Sequence, residues 1–466
     1  MKTFLVIGAG FSGAIIAAQL MRQTNALSVR VYLVNGNGRI ARGMAYGTQS
    51  SHHVLNVPAG NMSAFPDDPD HFLQFAQKID PSTTAASFVS RRLYGDYLEW
   101  LLNETERLAP HNVELHRIYQ QVTKIEDMPG GNCKFVTLDD NVTMVVDRVV
   151  LALGHFGSTS LPITNDSVSS SPRYLHDPWD QSRLDAIPAR ARVMLLGTGL
   201  TAVDVAMTLL SRNPNRSIIA VSRRGLVPQS HRVSAGKPLG VGAETIWGNA
   251  TTIREQLHAF RNYCNHLEAK GRDWREALAI LRPVTADVWL AYTDKERRRF
   301  LRHVQPYWDT HRHRLAPAVA EKLSVALASG VIKTLAGRIL SMEDNNGGIK
   351  STLRRRGRQE ARIEDVEYVV NCTGPCANPR LINSELVKQL LDDGIICTDS
   401  LGLGIEVTED CAVISANGLP SENLFYIGPW LKAKYWESTA VPDLRVFATR
   451  LAKRIVQENW HAIAVK

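Results

Sequence analysis

Cysteine is scarce: six residues among 466 cannot staple a fold of this size, which excludes a disulfide scaffold of the extracellular kind. No stretch approaches the ~18 uninterrupted apolar residues of a membrane span. The opening run Phe4-Leu5-Val6-Ile7 is too short for a signal-peptide core and leads directly into Gly8-Ala9-Gly10, so a cytoplasmic protein is expected. No Cys–His spacing fits a zinc site, and no Ser-His-Asp constellation stands out. Neither arginine run, Arg297-Arg298-Arg299 nor Arg354-Arg355-Arg356-Gly357-Arg358, is interleaved with aromatics as a nucleic-acid groove requires. What is present is 44% hydrophobic and 21% charged residues, the proportions of a globular protein. At roughly 150 residues per domain, the length makes room for two or three. The net charge of +8 suits phosphate-rich small molecules, nucleic acid or anionic membranes, and the glycine motifs favour the first.

Apolar runs at Thr3–Ile7 and Val29–Val34 flank a Gly turn and an Ala/Ile/Leu-rich helix, a βαβ opening ended by Asn35-Gly36-Asn37-Gly38. Residues 36–90 are irregular but punctuated by apolar positions, which predicts an ordered binding loop. Helical spacing of Tyr94, Tyr97, Leu98 and Leu101 predicts a helix over Leu93–Arg107. Short strands follow over Val113–Met144, then a buried-type strand, Arg148–Leu153, closed by Gly154. Residues 161–189, rich in Ser, Pro and Asp, read as a linker. The opening topology then repeats: strand Arg192–Leu196, turn Gly197-Thr198-Gly199, helix Leu200–Leu210, strand Ser217–Val221. A Gly-rich loop spans 228–250, a helical insertion 250–330, and strand patterns return at Val366–Val370 and Asn423–Gly428. The expected fold class is α/β, with two Rossmann-like dinucleotide-binding domains.

Gly8-x-Gly10-x-x-Gly13 stands between a strand and a helix. In that context the first Gly permits the tight turn, the second lets backbone amides approach a diphosphate, and the third lets the helix pack on the strand. At the end of the second strand, where an acid ordinarily binds a ribose hydroxyl, stands Asn35; an amide still hydrogen-bonds a hydroxyl, without charge assistance. The second motif is Gly197-x-Gly199-x-x-Ala202. Its following strand ends at Ser222-Arg223-Arg224, where arginine in place of an acid accommodates the 2′-phosphate of NADPH. The competing reading of that pair is a solvated basic turn. Cys372 and Cys376 are separated by three residues rather than two and read as small thiols flanking a Gly turn, not a redox pair. His231 is a candidate for a nicotinamide phosphate contact or an ordinary loop histidine.

With two such motifs in one chain, the sequence resembles the two-dinucleotide-binding-domain flavoproteins. Within them it is similar to the flavin-dependent N-hydroxylating monooxygenases and their bacterial FAD/NAD(P)-binding relatives. Arg91-x-x-Tyr94-x-x-Tyr97-x-x-Trp100 resembles a helix signature of the N-hydroxylases. Gly43-Met44-Ala45-Tyr46, His53-Val54-Leu55-Asn56-Val57-Pro58, Asn61-Met62-Ser63-Ala64, His311-Arg312-His313-Arg314, Asn371-Cys372-Thr373-Gly374-Pro375 and Trp436-Glu437-Ser438-Thr439 resemble the bacterial relatives.

The resemblance implies FAD on the first motif (Gly8, Gly10, Phe11, Ser12, Gly13 and Asn35) and NADPH on the second (Gly197, Gly199, Thr201, Arg223 and Arg224). Asn56, Met62, Arg91, Gly154, Thr373, Gly374, Gly428 and Pro429 are further cofactor candidates, and His311 and Arg314 substrate candidates. Pro429 stands where many relatives have an Asp. The implied domains are a discontinuous FAD domain, 1–160 with 360–466, and an NAD(P) domain, 190–359. The implied activity is a monooxygenase that reacts through a flavin peroxide with molecular oxygen and hydroxylates a small polar metabolite, an amino-acid nitrogen being one candidate. The rivals are an FAD-dependent reductase serving a quinone, disulfide or protein partner, and a non-catalytic nucleotide-binding protein.

Overall fold

The computed structural model describes residues 1–24, 27–36, 38–131, 133–159, 161, 164, 166–232, 240–345 and 347–457. Asn37 of the first turn, residues 162, 163 and 165 of the expected linker and 233–239 of the expected Gly-rich loop lie outside the described residues. The chain forms two compact units. One is built from Met1–Gly47, Pro58–Phe156 and Ala377–Lys466, the other from Thr48–Val57 and Gly157–Cys376.

In chain order the first strands are β1 (Lys2–Ile7), β2 (Val29–Val34), β3 (Val113–Ile118), β4 (Val122–Asp127), β5 (Lys134–Leu138), β6 (Thr143–Val146) and β7 (Arg148–Leu151). The middle of the chain supplies β8 (Tyr174–Leu175), β9 (Val193–Leu196), β10 (Ile218–Ser222), β11 (Ile332–Asp344), β12 (Ile349–Arg355), β13 (Ala361–Val366) and β14 (Tyr368–Asn371). The last are β15 (Ala412–Ile414) and β16 (Pro420–Tyr426).

The first unit is organised by a six-stranded sheet in the order β15-β16-β7-β1-β2-β3, parallel except at its β15 edge. The apolar run of β1 is what a strand covered on both faces requires: Phe4, Leu5 and Val6 are fully buried. Register places Ile7 opposite Val34 and Leu151, and Leu151 opposite Tyr426. The carboxyl ends of β16, β7, β1 and β2 therefore lie side by side, the edge at which open α/β sheets hold ligands. The helix Phe11–Gln23 is buried from Phe11 to Met21, consistent with its small and aliphatic residues. The helix Arg91–Arg107 starts two residues before the expected Leu93, because the Ser90 hydroxyl accepts from the Leu93 N–H at 3.2 Å and caps it. A second sheet, β4-β5-β6, is antiparallel.

The second unit carries a seven-stranded sheet ordered β13-β12-β11-β10-β9-β14-β8. Here β8, β14, β9, β10 and β11 are parallel, while β12 and β13 continue from β11 as antiparallel ribbons. The helix Leu200–Arg212 follows β9. Between β10 and β11 stand the expected helices, Ile253–Ala269 through Pro317–Ala328, interrupted by a π-helical turn at Phe300–Val304.

The unit boundaries differ from the sequence expectation in three places. Residues expected as a linker contribute the short helices Asp166–Ser169 and Gln181–Ala186, and β8 adds to the second sheet through Tyr174 and Leu175, both buried. Strands β13 and β14 also belong to the second sheet, so the chain re-enters the first unit at Ala377 rather than at 360. Thr48–Val57 belongs to the second unit: buried His53 bonds the Thr48 hydroxyl at 2.7 Å and the Thr208 hydroxyl, on the helix Leu200–Arg212, at 2.9 Å. A single polar clip between residues 155 positions apart leaves no periodic trace in sequence. Among the described residues, no helix is long and apolar enough to cross a membrane.

Candidate functional site

In the first unit the glycine turn joins β1 to the helix Phe11–Gln23. Gly8 has φ +96°, and a Cβ there would stand 2.6 Å from the Ala152 carbonyl oxygen just beyond β7. A Cβ on Gly13 would stand 1.8 Å from the Gly8 carbonyl oxygen. No side chain fits at either position, so the helix N-terminus is drawn close to the strand ends with its amides aimed outward. Phe11 and Ser12, within the first helical turn, are buried. Asn35 stands at the end of β2 as expected, but its amide is turned onto the glycine turn. Its Oδ1 accepts from the Ala9 N–H at 3.4 Å and its Nδ2 donates to the Gly38 carbonyl at 3.5 Å.

Gly154 and Gly428-Pro429 complete this edge. Tyr426 donates its hydroxyl to the Leu153 carbonyl at 3.0 Å, and Gly428 (φ +152°) lies so close that a Cβ would meet that same oxygen at 2.6 Å. Pro429 offers no N–H, the Trp430 N–H donates to the Tyr426 hydroxyl at 2.9 Å, and the Leu431 N–H donates to the Gly428 carbonyl at 3.1 Å. The amides that follow Gly428 are thus largely committed within the chain. The rings of Phe156, Trp430 and Tyr426 form a ladder, with centroids 5.4 and 5.5 Å apart and planes within 15° and 18°. Next to Gly154 stands His155, exposed at this edge.

The start of the expected binding loop closes over the first turn. Ala41, buried at φ +72°, donates its N–H to the Ala9 carbonyl at 2.7 Å, and Gly43 (φ +57°) packs so that a Cβ on Gly10 would meet its Cα at 3.4 Å. Arg42 fixes the segment. Its guanidinium, 6% exposed, forks onto Glu99 (2.5 and 2.8 Å) and reaches Asp96 (2.5 Å), which raises its pKa further. Gly95, in the middle of the helix Arg91–Arg107, makes room: a Cβ there would meet the Tyr46 carbonyl at 2.5 Å and the Arg42 Nη1 at 2.7 Å. A glycine inside an otherwise strong helix pattern, next to Asp96 and one turn from Glu99, was the available signal. Arg91 begins that helix and acts electrostatically on Tyr46, whose ring packs at 6.5 Å from Phe11. Met62 is buried at the end of a 3-10 turn. Beside Arg39 and Ala41 opens a cavity of about 530 Å³, bordered also by Arg117 and Tyr119.

In the second unit Gly197 (φ +116°) repeats the Gly8 geometry: a Cβ would stand 2.4 Å from the Cys372 carbonyl at the end of β14. Gly199 caps the helix Leu200–Arg212 at φ −81° and faces open space, and Thr201 is half-buried in the first turn. Thr373 and Gly374 follow β14 beside this turn. The buried Asn371 Oδ1 accepts from the Thr373 N–H at 3.2 Å and from its hydroxyl at 2.7 Å, and Gly374 takes φ +93°. Burial pushes the Cys372 thiol far up, which suits an inert core thiol.

Arg223 is exposed beyond β10. Arg224 is held: its Nη2 donates to the Arg302 carbonyl in the π-helical turn at 2.9 Å, and its guanidinium lies 5.0 Å from the Tyr307 ring centre. Arg356, exposed in the turn between β12 and β13, joins them, since Arg224 and Arg356 both lower the Tyr307 phenol. Its N–H donates to the Ala336 carbonyl at 2.8 Å, opposite Ser222 in register. Arg297 and Arg299 are instead tied within the insertion, to the Trp289 carbonyl (3.1 Å) and Glu296 (2.6 Å).

His231 does not serve as a cation. Burial and the guanidinium of Arg314 pull it down to about 4, and its Nε2 donates to the Asn56 carbonyl at 2.9 Å. Asn56 accordingly lies in the second unit. His311 bonds the Tyr307 carbonyl at 2.7 Å and meets Trp274 edge-on at 4.9 Å. Among the described residues no group of three His, Cys, Asp or Glu side chains is placed to hold a metal ion.

A family model described as FAD-NAD(P)-binding matches residues 5–156. No curated protein matches the chain by sequence. Solved structures match it over nearly its whole length. The ornithine hydroxylase of Pseudomonas aeruginosa has a TM-score of 0.66 at 14% identity, over 98% of this chain and 99% of that one. The ornithine N-hydroxylase of Kutzneria sp. 744, solved with reduced FAD, NADP⁺ and L-ornithine, gives 0.63 at 15%, over 97% and 98%. The bacillithiol disulfide reductase of Bacillus cereus gives 0.53 at 12%, over 98% of each chain. At these identities the likeness establishes the fold: two α/β units, each with a glycine turn between a parallel strand and a helix, as the sequence led one to expect.

Proposed function

We propose that the chain is an FAD- and NADPH-dependent monooxygenase that hydroxylates a small polar metabolite with molecular oxygen. The observation that carries the reading is the pair of glycine turns whose missing side chains leave a cradle at the carboxyl edge of each parallel sheet. A dinucleotide diphosphate fits such a cradle, because only bare backbone admits it and the helix N-terminus favours its charge. The likeness to N-hydroxylases over whole chains supports the assignment of FAD to the first unit and NADPH to the second.

In the first unit the turn Gly8–Gly13 would hold the FAD diphosphate, with Asn35 fixing the Ala9 amide and the cavity beside Arg39 receiving the adenosine. In the second, Gly197, Gly199 and Thr201 would hold the NADPH diphosphate. Arg223 and Arg356 would face the 2′-phosphate, and Arg224 is oriented by Arg302 and Tyr307. FAD, when bound, supplies hydride acceptance from NADPH and the reaction with oxygen. The chain's own part is to bind, to orient and to exclude water.

The test is anaerobic mixing of the purified, flavin-loaded protein with NADPH, followed by admission of oxygen. Bleaching of the flavin absorbance, then consumption of one oxygen per NADPH, is expected. A protein that takes up no flavin, or whose flavin is not reduced by either nicotinamide, refutes the reading. Reduction followed by electron delivery to a quinone or disulfide rather than to oxygen makes the protein a reductase.

A further inference from the structure

Beyond the two cradles, the second unit contains a guanidinium whose position is fixed and whose charge is not matched. The segment 229–232 runs beside 313–315: the His231 N–H donates to the Leu315 carbonyl at 2.9 Å and the Leu315 N–H to the Gln229 carbonyl at 2.8 Å. Arg314 is thereby placed next to His231. The surrounding cations are committed. Arg275 donates from Nε and Nη2 to the Ser230 carbonyl (2.9 and 2.7 Å), pairs with Asp273 at 3.0 Å and lies 4.3 Å from the Trp274 ring centre. Arg232 pairs with Asp273 (3.1 Å) and Glu276 (2.7 Å). Arg314 has no hydrogen-bond or ion-pair partner among the described residues, and its Nε is buried. Burial and the like charges of Arg275 and Arg312 lower it to about 10. A nearby cavity of about 710 Å³ is bordered by Arg232, Asp273 and Glu276, which pair with one another.

A half-buried, unpaired guanidinium among other guanidinium groups is costly unless an anion completes it. We propose that Arg314 anchors an oxyanionic ligand, the carboxylate of the substrate, in a site of the second unit distinct from the 2′-phosphate position at Arg223. The assignment of that carboxylate to the substrate rests on the monooxygenase reading; the anion site itself does not. Planar guanidinium donors match a carboxylate bidentately, and the backbone pairing and the Arg275 clamp hold the site in shape before the ligand arrives.

The experiment is phenylglyoxal labelling of the flavin-loaded protein, read arginine by arginine by peptide mass spectrometry, with succinate, L-glutamate, inorganic phosphate or NADP⁺ as competitor. One or both carboxylates are expected to slow labelling of Arg314 about tenfold, the scale of a charge-assisted bidentate contact. NADP⁺ is expected to protect Arg223 and to leave Arg314 reactive. Protection of Arg314 by phosphate or NADP⁺ but by neither carboxylate overturns the carboxylate assignment, and no protection by any competitor overturns the site.

A second measurement separates ligand binding from structure. Without added anions, Arg314→Gln is expected to melt no lower than the parent, since it removes an unpaired buried cation, and to lose the carboxylate-induced rise in Tm. A variant that melts several degrees lower yet keeps the full rise makes Arg314 structural. Neither readout needs turnover, so a failed flavin reduction would not disturb them, nor would their failure disturb it.

Discussion

The two glycine turns share a plan and differ in closeness. In the first unit the third glycine is indispensable: a Cβ on Gly13 would overlap the Gly8 carbonyl at 1.8 Å. In the second the corresponding position is Ala202, buried and accommodated. The first turn is also covered, by Ala41 bonded to Ala9 and by Gly43 against Gly10, whereas Gly199 faces open space. On the function proposed above, the difference teaches how one backbone device would serve two kinds of ligand. A covered, tightly wound turn suits a prosthetic group that stays through many turnovers, and an open one with an arginine rim suits a cosubstrate that must leave.

The largest effect is expected where that closeness is greatest. Gly13→Ala should cost more than about 4 kcal/mol, because backbone rather than a flexible side chain opposes the new methyl. The purified variant should be aggregated or colourless. The mirror change, Ala202→Gly, should cost only about 1 kcal/mol of helix propensity and leave the bound flavin in place. Calorimetry and the flavin absorbance per chain check both. A coloured, stable Gly13→Ala would dissolve the contrast between the turns.

Next comes a paired substitution at the second glycine. Gly10→Val meets Gly43 as well as the space assigned to the diphosphate, so it should abolish flavin retention. Gly199→Val meets nothing and has an ordinary φ of −81°, so it should fold, keep its flavin and lose NADPH binding alone. Equal loss of both cofactors in both variants would show that the turns are not independent.

Much of this was legible in the sequence because it is local. A glycine needed for a turn, an apolar run buried on both faces and a 3.6-residue period are written in adjacent letters. Hence both turns, the helix Arg91–Arg107 and the end of β10 stood where expected. What escaped is non-local. Arg42 looks like any loop arginine until it is seen forked on Glu99 and Asp96, and the hairpin-tip Arg356 shows nothing in sequence of its link to Tyr307. Asn35 was legible as a position but not as an orientation, since nothing in the sequence tells that its amide turns onto Ala9. Tyr174 and Leu175 of β8 are two letters long, too few to show a strand's alternation, and their membership in the second sheet is decided by β14 almost two hundred residues on.

The arginine rim sharpens the comparison further. Arg223→Ala should raise the KM for NADPH about tenfold, the loss of one charge-assisted contact of about 1.4 kcal/mol, and leave that for NADH nearly unchanged. Arg224→Ala should act less selectively, because its guanidinium is already engaged by Arg302 and Tyr307, so its removal loosens the insertion as well. Steady-state kinetics with both nicotinamides decides. If Arg223→Ala impairs the two equally, the rim is not reading the 2′-phosphate.

The smallest effect is expected from acid. Burial and the Arg314 guanidinium draw His231 of the second unit down to about 4. In the unfolded chain it takes up a proton near pH 6.5. Between pH 6.5 and 4 the unfolded state therefore binds more protons than the native one, and stability rises with pH across that window. The contribution of His231 is complete above pH 6.5 and is lost as the pH falls toward 4. His231→Gln keeps a donor for the Asn56 carbonyl and removes the titration, so its Tm should fall less between pH 7 and pH 5 than that of the parent. An unchanged slope would mean that His231 protonates as readily folded as unfolded. The Arg314 neighbourhood would then tolerate another positive charge, which argues against a site short of anions.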